Sequence, residues 1–318
     1  MNRDDALIHL TAGQIITGID LSDTSLAGLD LSDKLFDRVS LRGADLSGCC
    51  LVESQFNHCD LSGARLNSAD CTNGSFTACR LADNICIEST FYNTTFAHCE
   101  TGAIDFSKAN LERFTVIETP LSGAVFNGTN LTCAIFSQTN LDKVAFPGCR
   151  LMLTVFEKAS LQEADFSGLE LAKCRFSCAD LNGARFIGAK GKFTAFIDVQ
   201  AANANFSGSD FSIANFSGAS LDNANFARAT VEKSLFVGSS LKKAVFMSAK
   251  LAYSDFSQAV VTDADFSGAD LSVANIHRAN FHDARLSGAN MAGVRETDPI
   301  LAEGETWVSP VKIPKEKK

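Results

Sequence analysis

A five-residue repeat is the feature that most constrains this chain. From Leu21 to Met291 there are 55 positions at five-residue intervals, and Leu or Phe occupies 45 of them. The residue two places before each of these positions is usually small, and it is Ala in 25 of the 55 repeats. The other three positions are mostly polar. A period of five fits neither an α-helix, with about 3.6 residues per turn, nor a flat strand, with a period of about two. The sequence therefore excludes helical bundles and ordinary sheets.

The repeat predicts a solenoid. A small and a large inward residue, two positions apart, suit one short extended segment, and the three polar residues after them turn a corner. Four such segments would close a coil of about 20 residues, and successive coils would stack about 4.8 Å apart through backbone ladders. On this geometry we expect about 14 coils and a rod about 65 Å long.

Several copies of the repeat match the consensus A(D/N)LXX, with Leu or Phe at the centre, and five of them serve as examples. They are ADLSG at 44–48, ADFSG at 164–168 and 264–268, ADLNG at 179–183, and ANFSG at 214–218. The chain therefore resembles the pentapeptide-repeat proteins over about 85% of its length. The resemblance implies an all-β fold, a right-handed quadrilateral β-helix. In that fold the large central residue of each repeat and the small residue two places before it point inward, and the other three point outward.

We expect three segments along the chain. They are an N-terminal cap at 1–14, the pentapeptide-repeat β-helix at 15–293, and a C-terminal cap with a basic tail at 294–318. Caps are needed because the open end of a solenoid is an unpaired edge. Residues 4–12 predict a short helix, and residues 297–303 predict another that begins with an N-cap and a proline. Ile300, Leu301 and Trp307 are then available to cover the last coil.

The order of Leu and Phe predicts how the core packs. From Leu121 to Phe186 the central residues alternate between Leu and Phe, so residues 20 apart are alike. Gly191 and Ala201 replace large central residues and are expected to weaken the core locally. Phe rings should stack on one another in columns such as Phe36, Phe56, Phe76 and Phe96, and Phe126, Phe146, Phe166 and Phe186.

Eleven cysteines raise the question of a metal site, disulfides or a nucleophile. Cys59, Cys79 and Cys99 recur at the small inward position, so they form one column with neighbours about 4.8 Å apart. A linear column cannot wrap a tetrahedral zinc, and disulfide pairing would need side chains turned toward each other. We therefore interpret the inward cysteines as small buried residues. We predict no metal and no cofactor, and we expect a reducing compartment.

Catalytic chemistry finds no support in the sequence. It contains no Walker, Rossmann or nucleophile-elbow motif. Nearly half of the carboxylates in the repeat region occupy the outward position before the central residue. A convex rod offers no cleft in which the pKa values of two carboxyl groups could be driven apart. We expect no catalytic, cofactor-binding or metal-binding residues, and we predict that the protein is not an enzyme.

Charge and hydropathy exclude two further kinds of partner. The net charge is −9, of which residues 14–150 carry −7, and no basic stripe suits nucleic acid or an anionic membrane. No stretch approaches the roughly 18 apolar residues of a membrane span, and the N-terminus does not have the pattern of a secretory signal. We expect a cytoplasmic protein without direct nucleic-acid contact. Export through a secretion apparatus without a cleaved signal is the alternative.

On a polar rod, function is expected where outward positions become apolar. Such positions cluster in the run 151–156 and one coil before it. Farther on, they recur at 20-residue steps from Phe193 to Val273, interrupted once by Lys233. Their alignment along the rod predicts a protein-interaction surface. Its candidate residues are Ile135, Met152, Leu153, Val155, Phe193, Ile213, Tyr253 and Val273.

Two classes of function remain. In the first, the protein is a non-enzymatic scaffold or adaptor that binds another protein, or a second copy of itself. In the second, it is a DNA mimic that occupies a topoisomerase, as the gyrase-protecting members of the family do. B-DNA of this length would carry about 39 charges, against a net charge of −8 in the repeat region.

A third interpretation comes from resemblance alone. The segment LAGLDLSD at 26–33 and the unbroken repeat array are similar to proteins encoded with bacterial type VI secretion systems. That resemblance implies an adaptor for a secretion-system component or its cargo, with a secreted effector as the alternative.

Overall fold

The structure, a computed structural model, describes residues 3–11 and 13–306. Short helices lie near both ends of this region, α1 (Arg3–Thr11) and α2 (Pro299–Thr306). Between them are seven strands of three residues each. Their bounds are β1 (Ile15–Thr17), β2 (Leu35–Asp37), β3 (Gln55–Asn57), β4 (Ser75–Thr77), β5 (Thr95–Ala97), β6 (Thr115–Ile117) and β7 (Ile135–Ser137).

The strands pair in chain order to form one parallel sheet. Each residue lies opposite the residue 20 positions later, as Phe36 lies opposite Phe56, so the sheet spans six turns of the chain. Isolated parallel bridges continue at the same spacing as far as Asn275 with Arg295, and they recur at five-residue intervals. The chain is therefore an all-β parallel solenoid, as predicted.

Burial confirms the inward register of the repeat. Every central residue from Leu21 to Leu271 is buried except Thr101, which is half-buried. The residues on either side of each central residue are half-buried or exposed through most of this range. Full burial of a large apolar side chain contributes about 1.5–3 kcal/mol. The central residues of the repeats therefore contribute much of the free energy that stabilises the fold.

Phe rings stack as predicted in the column of Phe126, Phe146, Phe166 and Phe186. Their centroids are 5.4, 4.8 and 5.0 Å apart, and no interplanar angle exceeds 24°. The other predicted column departs from this pattern at one place. Phe36, Phe56 and Phe76 stack at 4.6 Å, but Phe96 meets Phe76 at 63°. Phe114 causes the difference, because it occupies a small inward position and meets the Phe96 ring edge-on at 4.9 Å.

Gly191 does not weaken the core as predicted. The ring of Phe211, one turn later, occupies the space that a side chain on Gly191 would need. Phe211 is fully buried and meets the rings of Phe196 and Phe206 edge-on, at centroid distances of 5.2 and 5.8 Å. Ala201 is fully buried as well. The missing side chain in one turn therefore makes room for a large one in the next, and the packing stays continuous.

Inward Ser, Thr and Cys side chains donate hydrogen bonds to the backbone of the preceding turn. Ser54 Oγ donates to the Leu31 carbonyl at 2.7 Å, and Cys174 Sγ donates to the Leu151 carbonyl at 2.7 Å, each reaching 23 residues back. Burial raises the pKa of Cys174 to about 12 and that of Cys149 to about 11. Thiols held in this state are poor nucleophiles, which agrees with a packing role.

The column of Cys59, Cys79 and Cys99 follows the same rule. Their sulfur atoms donate, each at 3.3 Å, to the carbonyls of Phe36, Phe56 and Phe76. In the described part of the chain, no group of three or more His, Cys, Asp or Glu residues is placed to hold a metal ion.

Outward Asp and Asn residues brace the corners of the solenoid. The Asp45 carboxylate accepts the Ser47 backbone N–H at 3.1 Å, and Asp265 accepts that of Ser267 at 2.9 Å. These are Asx turns, in which a short acidic side chain replaces a backbone acceptor. The Ser47 and Ser267 hydroxyls hold the pKa of Asp45 and Asp265 below the ordinary value. The carboxylates are thus ionised structural groups.

Helix α1 covers the first turn of the solenoid, as the sequence predicts. Ala6 and Leu10 are buried in the hydrophobic core. The Arg3 guanidinium donates to the carbonyls of Ser25 and Ala27, each at 3.1 Å. These contacts satisfy carbonyls at an edge that otherwise faces solvent.

Helix α2 begins where the sequence predicts, but the prediction that its residues cover the last coil is wrong. The Asp298 carboxylate caps the helix by accepting the Ile300 backbone N–H at 2.9 Å. Ile300 is 82% exposed and Leu301 is 53% exposed. Trp307, the third residue of that prediction, lies outside the described residues.

Polar contacts hold α2 against the side of the solenoid instead of its end. The Asp298 backbone N–H donates to Nδ1 of the buried His277 at 3.2 Å, and the Arg278 guanidinium donates to the Glu305 carboxylate at 2.8 Å. Because the helix lies sideways, Phe281 and Met291 of the last turn are only partly buried.

Candidate protein-interaction surface

Five of the predicted surface residues form a single exposed column. They lie at one position of the 20-residue turns from 153 to 273, in which Lys173 and Lys233 occupy the other two turns. Their exposed fractions range from 36% at Val273 to 57% at Tyr253. Backbone hydrogen bonds to the following turn hold them in line, as in the bond from Ile213 N to Glu232 O at 2.9 Å. We call this column the apolar strip; it consists of Leu153, Phe193, Ile213, Tyr253 and Val273.

The backbone of the apolar strip is left-handed at all five residues, with φ between 59° and 63°. Nearly every repeat has a left-handed residue at this position, the exceptions being Ala103 and Gly123, and elsewhere the chain uses Gly, Asn, Asp or other mostly polar residues there. A left-handed conformation costs an ordinary residue about 1–2 kcal/mol, and it is rarest for β-branched residues. Ile213 and Val273 are the only β-branched residues with positive φ in the described chain, and both belong to the strip.

The other three predicted residues lie beside the strip. Met152, the neighbour of Leu153, is 50% exposed, and Ile135 is 41% exposed. Val155 is half-buried and forms a parallel bridge with Ile135. The structure therefore brings all eight predicted residues to one region of the surface.

The sequence analysis missed three residues of the same region. Leu235 is 40% exposed and lies in the column of Val155, four turns farther on. Ile197 and Val237 are half-buried and occupy the position two residues after that column. The 20-residue period that aligned Ile135 with Val155 would have found Leu235, which lies 80 residues after Val155. Ile197 and Val237 are 40 residues apart in a neighbouring column, which that alignment does not mark.

Lys233 does not interrupt the strip as a free charge. Its Nζ lies 5.9 Å from the ring centroid of Tyr253, one turn later. This is a cation–π contact, and it places the aliphatic stem of the lysine along apolar surface. The strip is therefore continuous in its apolar contact area from Ile213 to Tyr253.

The aspartates at the corners of the solenoid that accept hydrogen bonds from serine are ionised. Serine hydroxyls lower the pKa of Asp20, Asp30 and Asp270, as they do at Asp45 and Asp265, so these carboxyl groups do not stay protonated as general acids would. An apolar cavity lined by Phe76, Asn84 and neighbouring side chains has a volume of about 10 Å³. Larger grooves, such as one of about 590 Å³ between α2 and the solenoid, are open to solvent. Neither α1 nor α2 is long and apolar enough to cross a membrane.

The fold and the surface together define a class of protein, a β-solenoid built from five-residue repeats. A family model for "Pentapeptide repeat region" matches residues 209–295. A second model, for "Pentapeptide repeats (8 copies)", matches residues 19–57, 104–146, 119–157 and 149–188. These matches cover about two thirds of the chain. The chain belongs to the pentapeptide repeat family.

Comparison with solved structures finds several matches of low sequence identity. A trypsin-treated form of QnrB1, a plasmid-mediated fluoroquinolone resistance protein, is 20% identical over 72% of this chain and 94% of its own, with a TM-score of 0.44. HetL of Nostoc, involved in heterocyst differentiation regulation, is 22% identical over 92% of this chain and 96% of its own, with a TM-score of 0.26.

A pentapeptide repeat protein of the Arabidopsis thaliana thylakoid lumen is 27% identical over 32% of this chain and 71% of its own, with a TM-score of 0.30. At TM-scores below 0.5 these likenesses carry no information about function. No curated protein matches the chain.

Proposed function

We propose that this protein is a non-enzymatic scaffold that binds another protein through the apolar strip. One observation carries the proposal. All the large apolar residues that adopt a left-handed backbone in the described chain lie in this one column. Backbone strain that the fold does not need is a recognised mark of a functional site. Exposed apolar side chains held in line on a rigid support also lose little entropy on binding.

The proposal agrees with the family, whose members are generally structural or binding proteins without catalysis. The proposal includes the handedness, the number of sides and the number of coils that the family resemblance implies. We propose one right-handed, four-sided β-helix of about 14 coils over residues 15–293, with caps at 1–14 and 294–318. Parallel bridges at four positions in each 20-residue turn support this geometry.

A double variant, Phe193→Asp with Tyr253→Asp, tests the strip. Both side chains are more than half exposed, and Asp tolerates the left-handed backbone, so the fold should survive. Cross-linking and pull-down from the native cell extract should lose the main partner. If the partner is a second copy, light scattering should show a dimer falling to a monomer.

Asn203→Asp with Asn223→Asp is the matched control. These residues occupy the same left-handed corner position on another side of the solenoid, with φ of 59°, and the change adds the same charge. The control should keep every partner. A strip variant that also keeps every partner would show that the strip is ordinary surface.

A DNA-mimicking gyrase binder is the second candidate, favoured by the net charge of −7 on residues 14–150. A supercoiling assay separates the two functions. If the protein inhibits or protects gyrase, and acidic residues of this segment control the effect while the strip variant does not, the DNA mimic replaces the scaffold. The adaptor, cargo and effector roles in type VI secretion rest on resemblance alone, and the genes beside this one would test them.

A further inference from the structure

The side of the solenoid next to the apolar strip indicates what kind of segment binds there. We call it the adjoining side; it consists of the outward residues two and four positions after the strip in each turn, among them Val155, Ile197, Leu235 and Val237. We propose that the partner contributes an acidic amphipathic α-helix, which lies along the solenoid axis on the adjoining side with the strip as its wall. This inference rests on the proposed function.

The apolar residues of the adjoining side have the spacing of a helix. Val155, Ala195 and Leu235 follow one another at 40-residue steps on one ladder of parallel bridges, that is, every second turn. Two turns of the solenoid rise about 9.6 Å, and two turns of an α-helix rise about 10.8 Å. From Val155 to Leu235 the distance is about 19 Å, which a helix of about 13 residues spans.

The backbone of the adjoining side favours a helix over a strand. Leu235 N donates to the Ala214 carbonyl at 3.0 Å, and Val155 N donates to the Ala134 carbonyl at 2.9 Å. A strand binds by adding to an unpaired backbone edge, and these groups are paired within the solenoid. Only side chains are available to a partner here, which is how an amphipathic helix binds.

Helix α2 shows that this side of the solenoid accepts a helix. A groove between α2 and the solenoid is lined by Val237 and His277 on one side and by Leu301 and Glu305 on the other. The Glu305 carboxylate accepts the Arg278 guanidinium at 2.8 Å. An apolar and an acidic side chain of a helix therefore already face this side. A second helix on the adjoining side would lie at lower-numbered turns, next to the groove that α2 lines.

Basic residues lie on both the strip and the adjoining side, in a protein of net charge −9. Lys173 and Arg175 lie one turn before Phe193, Lys192 is next to it, and all three basic residues are exposed. None of these three takes part in the ion pairs found among residues 3–11 and 13–306. Their positive charge suits acidic side chains along one edge of the partner helix.

Selection from a phage-displayed library of 18-residue peptides on the full-length protein tests the inference. The enriched peptides should carry an apolar row at helical spacing with Glu or Asp beside it. A spectrum of the bound, isotope-labelled peptide should show a helix. Leu235→Asp should weaken binding at least about tenfold. Leu235 is exposed, and a thermal melt of the variant will check that it still folds.

Charge reversal provides a second, independent test. Lys173→Glu with Lys192→Glu should weaken the acidic peptides about tenfold or more and should favour peptides with Lys in place of Glu. Lys242→Glu with Lys243→Glu is the matched control, because these residues are exposed at the equivalent two corner positions on another side. The control should leave binding unchanged.

The outcomes separate the two proposals. The selected peptides could be basic, or extended when bound, and still lose binding in the Phe193→Asp, Tyr253→Asp variant. That result would overturn the acidic helix but would support the scaffold. Failure to enrich any peptide that depends on the strip or on Leu235 would overturn both.

Discussion

Two regions of the solenoid follow the same five-residue register and yet pack in different ways. Between Phe126 and Phe266 the rings of successive turns stack in parallel, with centroids 4.6 to 5.4 Å apart. Between Phe76 and Phe114 the rings meet at angles from 49° to 89°, beside a small cavity. We call these the stacked region and the mixed region. A shared register therefore fixes which residues face inward but not how their side chains meet.

The surfaces of the two regions differ as well. The apolar strip lies on the stacked region and the turns that adjoin it, whereas the mixed region belongs to the acidic part of the chain. A column of outward residues is straight only if successive turns are alike, and stacked rings make them alike. Just after the mixed region, Pro120 lacks the N–H that a ladder bond needs, and the parallel bridges do not include it. Regular stacking of Phe rings in the core therefore keeps the residues of the apolar strip aligned on the surface.

Removal of one Phe ring should change the free energy of unfolding by different amounts in the stacked and mixed regions, and this is the largest effect we expect. Phe166→Ala in the stacked region should lower the free energy of unfolding by about 3–5 kcal/mol, because parallel neighbours cannot close the cavity. Phe91→Ala should cost less, because rings at mixed angles beside an existing cavity can relax. Denaturant unfolding of both variants measures this.

Asp263→Asn is the control for the ring variants. Asp263 is outward with φ of 59°, and Asn tolerates that backbone, so the change should stay within about 0.5 kcal/mol. Equal losses from Phe166→Ala and Phe91→Ala would contradict the distinction between the regions.

A side chain at Gly191 should break the stacked region at one place. Gly191→Leu should destabilise the protein by about 1–3 kcal/mol, because the Phe211 ring already fills the space. Adding Phe211→Leu should recover much of that loss, since the two turns would then share the volume. Calorimetric melts of both single variants and the double variant give the coupling. Strictly additive effects would show that the two residues do not share space.

Low pH should destabilise the protein, because it protonates the aspartates that accept hydrogen bonds at the corners of the solenoid. The pKa of Asp45 is lowered in the folded protein below its ordinary value of 3.8, chiefly by the Ser47 hydroxyl. The stabilisation is thus present above pH 3.8 and is lost as pH falls below that value. The melting temperature should be lower at pH 3 than at pH 6. Ser47→Ala should lower it at pH 6 but hardly at about pH 2.5, and an equal loss at both would contradict the linkage.

The smallest effect is expected at the strip itself. Ile213→Asn removes a partly buried apolar contact worth about 1 kcal/mol, but it relieves a left-handed β-branched residue by a similar amount. The net change in the free energy of unfolding should be close to zero, while partner binding falls. Leu241→Asn, at a fully buried central position, should unfold the protein under the same conditions. A large loss of stability in Ile213→Asn would mean that the residue serves the fold and not a partner.

Sequence alone predicted the solenoid, the inward register and the residues of the strip. It could do so because one side chain in five must be buried in every turn, and a period of five leaves no other assignment. The three-dimensional neighbours of a residue then follow from counting in steps of 20. The candidate site was predictable to the same degree, since its members share one position in that count.

What the sequence did not predict depends on volume and on contacts outside the register. The turned ring of Phe96 follows from the bulk of Phe114 in a small position. The filled space at Gly191 follows from a ring one turn away. The sideways position of α2 follows from His277 and Arg278, which no periodicity marks as partners of Asp298 and Glu305. The same pattern of inward and outward residues is compatible with several packing arrangements, so the pattern alone does not predict which one forms.

The unbroken count of five also limits how this protein can change in length. A duplication or deletion of 20 residues would add or remove one whole turn and leave every column in line. A change of five would keep each side chain inward or outward but shift all later residues to the neighbouring side, so Phe193 and Tyr253 would no longer share a column with Leu153. A change of one residue would turn the later Phe and Leu side chains toward water. Evolution by insertion can therefore lengthen this rod or split its binding strip between two sides, according to the size of the step alone.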